Sequence, residues 1–482
     1  MIFGIKDVIA VLPEITVAGA ASCLLLVDFL IPRERKSAVG VLAIIFVIFA
    51  AIFSIFLMGT DVMGTTVFAG MFAVDGFSTF FKYVVYAAAV LSIMLSFHYV
   101  KEEGINAGEY YILMLFSLSG MMVMASAKDL LTVYVGLELM SLPVYVLVGF
   151  MQGDVRSNEG AMKYVILGAF SSAILLYGIS LIYGLTGSTG LHAVAAVLSS
   201  GSVNQGALNV AVIMMVAGFA FKIAGVPFHM WAPDAYEGAP TPITAFMSVG
   251  PKAAAFAVIL RVFMEGLGPA YGKWQIMLAA VAVASLAYGN LTAIAQRNIK
   301  RMLAYSSIGH AGYALLGLVA GTSEGVSSVM YYMAVYALMN LGVFAVIIMM
   351  RKGGQRGTEI DEYAGLAKSH KGLALVMLIF LFALAGVPPT AGFVAKFYVF
   401  MALIHKGMVG LALFAVLMSA VAAYFYIRIV MLMYMREPVK EFELAHSRGI
   451  YYVLAIATAG TVILGVYPGF LIELAQKASL FP

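Results

Sequence analysis

Residues 219 to 252 read FAFKIAGVPFHMWAPDAYEGAPTPITAFMSVGPK, and the fold turns on this stretch. An apolar run carrying Lys222 meets Gly225-Val226-Pro227, where proline removes a backbone donor and clashes with the preceding turn, so a helix breaks there. A polar crossing, His229 to Asp234, follows, and a second apolar helix opens near Pro242 and carries Lys252. In hydrocarbon a broken helix persists only where protein or trapped water satisfies the freed backbone groups. The stretch is therefore a candidate ion site. Lysines near helix ends ordinarily snorkel to the interface, and that plainer reading stays open for Lys222. Lys252 lies about ten residues into its segment, ~15 Å deep at ~1.5 Å per residue, which is the middle of a ~30 Å core.

Composition supports a membrane setting. Of 482 residues, 63% are hydrophobic and 11% charged, a balance that excludes an ordinary soluble domain. The net charge of +4 comes from basic residues in short loops that form no continuous patch, so no nucleic-acid partner is expected. The single cysteine, Cys23, excludes an internal disulfide and a cysteine-rich metal or iron-sulfur site. No signal peptide is expected either, because Pro13-Glu14 interrupts the first apolar run and no small-residue cleavage pattern follows.

Apolar runs of ~20 residues read as spans and predict an all-α integral membrane protein of about fourteen transmembrane helices, with helices 7 (206 to 227) and 12 (372 to 404) broken. Ala224-Gly225-Val226-Pro227 recurs as Ala385-Gly386-Val387-Pro388 five spans later, so two five-helix repeats of opposite orientation are expected, an arrangement used by alternating ion pathways. The expected segments are 1–106, an N-terminal three-helix unit; 107–265, the first repeat; 266–436, the inverted second repeat; and 437–482, the C-terminal helix 14.

Lys and Arg concentrate on one side of this topology. With the N-terminus outside, the inner loops hold Arg33, Arg35, Lys36, Lys101, Arg156, Arg297, Lys300, Arg301, Arg351, Lys352, Arg356, Lys368, Lys371, Arg436, Lys440 and Arg448. Lys6, Lys128, Arg261, Lys273, Lys406 and Lys477 remain outside, and both termini fall on the outer side.

Six basic residues then lie within spans: Lys82, Lys163, Lys222, Lys252, Lys396 and Arg428. Each charge at a helix centre costs ~2.5 to 3.5 kcal/mol on insertion scales. Lys82 and Arg428 sit nearer span ends and read as snorkelling or structural, while the other four call for partners. One partner is Glu138 in LLTVYVGLELMSLPVYVLVGF (130–150), near mid-membrane; it pairs with a neighbouring hydroxyl or, more pointedly, with Lys222. KRMLAYSSIGHAGYALLG (300–317) places His310 near mid-membrane among Ser306, Ser307 and Tyr313, either as a hydrogen-bonded core residue or as a group that passes a proton between lysines. Nothing equips the chain for electron transfer. GLTGSTG (184–190) has the wrong spacing for a dinucleotide fingerprint.

FKIAGVPFHMWAPDAYEGAPTPITAF (221–246), Glu138, KRMLAYSSIGH and GVPPTAGFVAKFYVF (386–400) together closely resemble the antiporter-like membrane subunits of complex I, over nearly the whole chain. The resemblance implies a proton-translocating module without a cofactor of its own, with NADH, flavin, iron-sulfur clusters and quinone in partner subunits. It implies Glu138 and Lys222 as a switching pair, Lys163 as an additional membrane lysine, Lys252 as the central relay and Lys396 as the terminal site facing the outer exit. It also implies a bacterial inner membrane location beside a neighbouring antiporter-like subunit and small membrane subunits. Two rival functions share parts of this reading: a subunit of a multi-subunit sodium/proton antiporter or of a related membrane-bound dehydrogenase or hydrogenase, and a solitary solute transporter, which needs a substrate cavity instead of a row of titrating groups.

Overall fold

The protein, described by a computed structural model over residues 4–351, 357–438 and 444–480, is an all-helical bundle. Lys352, Arg356 and Lys440 of the inner-loop set lie outside the described residues. In chain order the bundle is built from α1 (Leu12–Asp28), α2 (Ser37–Met58), α3 (Gly76–Glu102), α4 (Gly108–Ser126), α5 (Leu130–Val148), α6 (Val155–Thr186), α7 (Gln205–Lys222) and α8 (Trp231–Gly238). It continues with α9 (Thr241–Arg261), α10 (Tyr271–Ile294), α11 (Ile299–Val319), α12 (Ser323–Met349), α13 (Lys371–Ala385), α14 (Ala391–His405), α15 (Val409–Met435) and α16 (Arg448–Val466). Among the described residues twelve helices are long and apolar enough to cross a membrane, while α13 and α14, at 15 residues each, are shorter apolar halves. The only sheet among them is a small hairpin, Thr65–Val67 with Phe72–Val74.

Side chains sort radially. On α2 the inward stripe Val39, Ala43, Val47, Ala50 and Ser54 is mostly small, while Ile48, Phe49, Ile52 and Ile55 point outward, the pattern of a helix packed closely inside and wetted by lipid outside. Every residue of α9 is buried, as is all of α11 except the half-buried Arg301. α9 packs on α3, α4, α5 and α12, and α11 on α8, α10, α12 and α14. Lys252 on α9 and His310 on α11 therefore cannot reach lipid or bulk water without moving the core.

Both expected breaks are present, but the first begins earlier than the prolines suggest. α7 stops at Lys222, and Ala224 takes a left-handed backbone with φ 58°. Trp231 Nε1 donates to Phe221 O at 3.0 Å, a carbonyl that also accepts from the Ala224 backbone N–H at 3.0 Å. The expected polar crossing from His229 to Asp234 is largely helix, since α8 starts at Trp231. At the second break the left-handed residue is Gly386, φ 88°. The repeated tetrapeptides therefore adopt different conformations: its first residue is left-handed in one copy and its second in the other. The C-terminal stretch is also two helices, because Tyr467-Pro468 separates α16 from Gly469–Lys477. Proline there cannot donate to the preceding turn.

Loops collect on two faces. One gathers Tyr99, Glu103, Arg156, Glu237, Lys300 and Arg351 around a single cavity, all from the predicted inner set or its neighbours. On the other, Arg261 forms a fork on Asp75 at 2.9 and 3.0 Å and reaches Glu265 at 3.2 Å.

Candidate functional site

Four buried basic side chains form the centre of the bundle, each 3 to 5% exposed: Lys222, Lys252, His310 and Lys396. None is in a salt bridge among the described residues. Burying a charge without a carboxylate is costly, so the neutral partners around each group decide what it can do.

Lys222, the last residue of α7, donates to Ser141 Oγ at 3.0 Å and to Tyr145 OH at 3.4 Å. Both acceptors are on α5, three and seven residues after Glu138, so all three share one helix face. The expected contact ion pair between Glu138 and Lys222 is not formed. Glu138 Oε1 is buried with no hydrogen-bond partner. A hydroxyl pair thus stands where the carboxylate was expected, and the carboxylate stands one turn behind it. The helix period puts Ser141 nearer the end of α7 than Glu138.

Lys252 donates to Ser307 O at 3.0 Å and to Ser307 Oγ, with its ammonium 5.9 Å from the Tyr236 ring. Ser307 Oγ also accepts from Tyr336 OH at 2.8 Å, and Asn340 Nδ2 donates to Tyr336 OH at 3.1 Å and to Ser248 Oγ at 2.7 Å. His310, one turn along α11, has Nδ1 2.6 Å from Tyr332 OH and Nε2 3.2 Å from Tyr426 OH, which in turn bonds Ser306. With both ring nitrogens on hydroxyls that donate or accept, the imidazole can change tautomer without losing a bond. Lys396 donates to Ala385 O at 2.8 Å and to Ser419 Oγ at 2.9 Å, and lies 4.8 Å from the Tyr313 ring centre. Tyr313 is 6.2 Å from the His310 ring. Lys252, His310 and Lys396 thus share one lateral network of hydroxyls and aromatic rings.

Gly386 makes the last contact possible. A Cβ there would lie 2.9 Å from Lys396 Cδ, on a backbone that side chains rarely adopt. Lys396 therefore folds back over the broken end of α13 and bonds the carbonyl of its final residue, Ala385.

Lys163 stands apart from this row. Its side chain is 43% exposed and bonds Glu159 at 2.6 Å and Asp234 at 2.7 Å. Asp234 also takes Arg301 at 2.6 Å. The expected membrane lysine is thus part of a peripheral clamp on α8. Lys163→Ala leaves Asp234 paired with Arg301, and an exposed pair contributes ~0 to 1 kcal/mol. Proton-coupled turnover of the assembled variant stays within about twofold of the parent; a loss as deep as that of Lys252→Ala would return Lys163 to the central row.

Lys82 does not snorkel. Its ammonium is 2.6 Å from Glu14 Oε1, with both side chains buried, which ties α3 to α1. Arg428 bonds Ile294 O at 3.0 Å, the structural role expected of it. Among the described residues no group of three His, Cys, Asp or Glu side chains is placed to hold a metal.

The central partners Tyr332, Tyr336 and Asn340 escaped the sequence reading, although their spacing of four on an otherwise apolar α12 marks one polar face. Tyr236, Ser419 and Tyr426 carry no such signal, since only the packing of separate helices brings them inward.

The same arrangement has relatives. The family described as NADH:quinone oxidoreductase/Mrp antiporter, TM, matches residues 127–422. The chain is 54% identical to NADH-quinone oxidoreductase subunit N 2 of Rhizobium meliloti (strain 1021), over 98% of this chain and 97% of that one. It is 43% identical to NADH-quinone oxidoreductase subunit N of Trichlorobacter lovleyi (strain ATCC BAA-1151 / DSM 17278 / SZ), over 97% and 96%. Among solved structures, a chain of respiratory complex I from Thermus thermophilus with bound aureothin superposes with TM-score 0.81 at 30% identity, covering 96% of this chain and 99% of that one. A chain of the Mrp complex from Dietzia sp. DQ12-45-1b shares the fold with TM-score 0.83 at 20% identity, over 98% and 96%. A helical membrane bundle with two broken helices, matched over most of its length at these identities, belongs to the NADH:quinone oxidoreductase/Mrp antiporter membrane family.

Proposed function

We propose that this chain is the subunit N type of membrane subunit in a bacterial NADH-quinone oxidoreductase and translocates protons there without a redox cofactor of its own. NADH, flavin, iron-sulfur clusters and quinone belong to partner subunits. In this reading Glu138, Lys222, Lys252, His310 and Lys396 carry the protons, and Lys163 holds α8. The chain crosses the inner membrane about fourteen times, with helix pairs α7/α8 and α13/α14 each counted as one broken crossing and both termini outside. It sits beside a neighbouring antiporter-like subunit and small membrane subunits. The observation that carries the reading is the row Lys252, His310 and Lys396: three titratable groups, buried without carboxylates, each bonded to hydroxyls, with the rings of Tyr336 and Tyr313 on either side of His310. Intramembrane ionisable groups arranged this way suit a proton relay.

The fold shared with the Mrp complex chain supports a second reading, a sodium/proton antiporter subunit. Identity separates the two, 54% over nearly the full length for the oxidoreductase relative against 20% for the antiporter chain. The complex purified through this chain and reconstituted in vesicles is expected to acidify one side on addition of NADH and quinone, at a rate unchanged by sodium. Sodium-dependent proton exchange in the absence of NADH would favour the antiporter.

A further inference from the structure

The loop face that collects Arg156, Glu237 and Arg351 opens into a cavity of about 580 Å³ that the central row does not explain. Charges on its wall are mostly neutralised in pairs: Arg156 with Glu237 at 3.2 Å and Arg351 with Glu103. Asp154 and Lys300 are the exceptions, and Lys300 is the buried one of the two. It lines the cavity, is only 3% exposed, and makes no salt bridge among the described residues. Its ammonium donates to Glu237 O at 2.9 Å and Ala239 O at 2.6 Å, at the C-terminal end of α8.

The opposite side of that same turn belongs to Lys252. Tyr236, the residue before Glu237, has its ring 5.9 Å from the Lys252 ammonium and its hydroxyl 3.3 Å from Ser307 Oγ, which Lys252 also bonds. α11 makes the connection a second time. Lys300 and Ser307 are seven residues apart, two turns on one helix face, or ~10 Å at ~1.5 Å per residue. Lys300 and Lys252 therefore hold one turn of α8 from its wet and its dry ends.

From this placement we infer that Lys300 is the proton-uptake residue, loading protons from water in the cavity and handing them to Lys252 beside Tyr236 and Ser307. The step moves protons only. A proton from cavity water binds the neutral Lys300 Nζ, and the resulting ammonium releases one along the Tyr236 and Ser307 hydroxyls and intervening water to neutral Lys252 Nζ. Water-bridged hydrogen bonds are nearly as favourable as direct ones, so a gap of this length is short for a relay. The inference rests on the proton-translocation reading. The competing role is a fixed cap: a cation on the last carbonyls of α8 is favourable whether or not it titrates.

Arginine separates the two, since it caps carbonyls and does not titrate in proteins. The assembled complex carrying Lys300→Arg, in vesicles, is expected to lose NADH-driven proton translocation by about tenfold or more, the scale of a missing proton-transfer group. Translocation at the parent rate overturns the inference. A second variant serves if arginine prevents assembly: Lys300→Cys in a Cys23→Ala background, since Cys23 is a free, exposed thiol. Modification with 2-aminoethyl methanethiosulfonate, which restores a titrating amine, is expected to recover translocation, and the trimethylammonium analogue is not. Equal recovery by both reagents, or by neither, overturns the inference. Lys252→Ala and Lys396→Arg are measured alongside. If they lose translocation while the Lys300 variants keep it, only the uptake assignment fails; if all keep it, the translocation reading fails too.

Discussion

Lys396→Arg is expected to assemble and yet lose proton translocation by about tenfold or more. The contacts make this a sharp discrimination. Lys396 donates to Ala385 O, the last carbonyl of α13, and so does what a counter-charge at a helix C-terminus does. If that were its whole task, an arginine, charged and richer in donors, would perform it at least as well. Two features argue for more. The ammonium also bonds Ser419 Oγ and lies over Tyr313, whose ring neighbours His310. It is also on α14, the half-helix that runs toward the face carrying Glu324 and His405, where His405 Nδ1 bonds Glu324 at 2.8 Å. A group that receives a proton from His310 and releases it toward that face must titrate, and arginine does not. An assembled Lys396→Arg complex with the parent proton-to-electron ratio would reduce Lys396 to a helix cap.

Glu138→Gln and Lys222→Ala are each expected to depress NADH-driven translocation about tenfold, while the double variant loses far less than the product, with a coupling of ~0.5 to 3 kcal/mol typical of residues in one network. The geometry refines what is being coupled. Lys222 rests on Ser141 and Tyr145, and Glu138 Oε1 lies buried and unbonded one turn away on the same face. A buried acceptor without a partner is costly, so a shift of the Lys222 ammonium from Ser141 to Glu138 would relieve it. The ion pair expected from the sequence would be a second position of the same lysine, reached from the one on Ser141 and Tyr145. Ser141→Ala, which removes the first position and leaves the carboxylate, is expected to leave translocation far less impaired than Lys222→Ala. Multiplicative losses in the Glu138, Lys222 double variant would show that the two residues act independently.

Much of the site was legible in the sequence because hydrocarbon makes polar residues conspicuous. A lysine in a run such as GVPPTAGFVAKFYVF costs enough that it marks a function or a partner, and Lys222, Lys252, His310 and Lys396 all proved buried. Lys163 differs from them, because Glu159 and Asp234 hold its side chain half-exposed beside α8, a pairing that span assignment does not reveal. Lys82 takes the structural one of its two readings, and its partner Glu14, 68 positions away on α1, cannot be found by local spacing.

The sequence by itself determined that the chain is a membrane bundle, that two of its helices break near Pro227 and Pro388 and that Lys222, Lys252 and Lys396 are withdrawn from the surface, because each of these follows from local backbone chemistry or from the cost of charge in lipid. Only the tertiary structure decided the partners. Whether an ammonium meets a carboxylate, a hydroxyl or a carbonyl depends on angstrom-scale packing between helices distant in sequence: Lys222 took Ser141 over Glu138, Lys252 took Ser307, and Lys396 took the carbonyl of Ala385. Hydrophobic patterning specifies which face of a helix turns inward, but several rotations and translations satisfy it, and the small residues along these interfaces let the helices close to the one in which the polar groups meet.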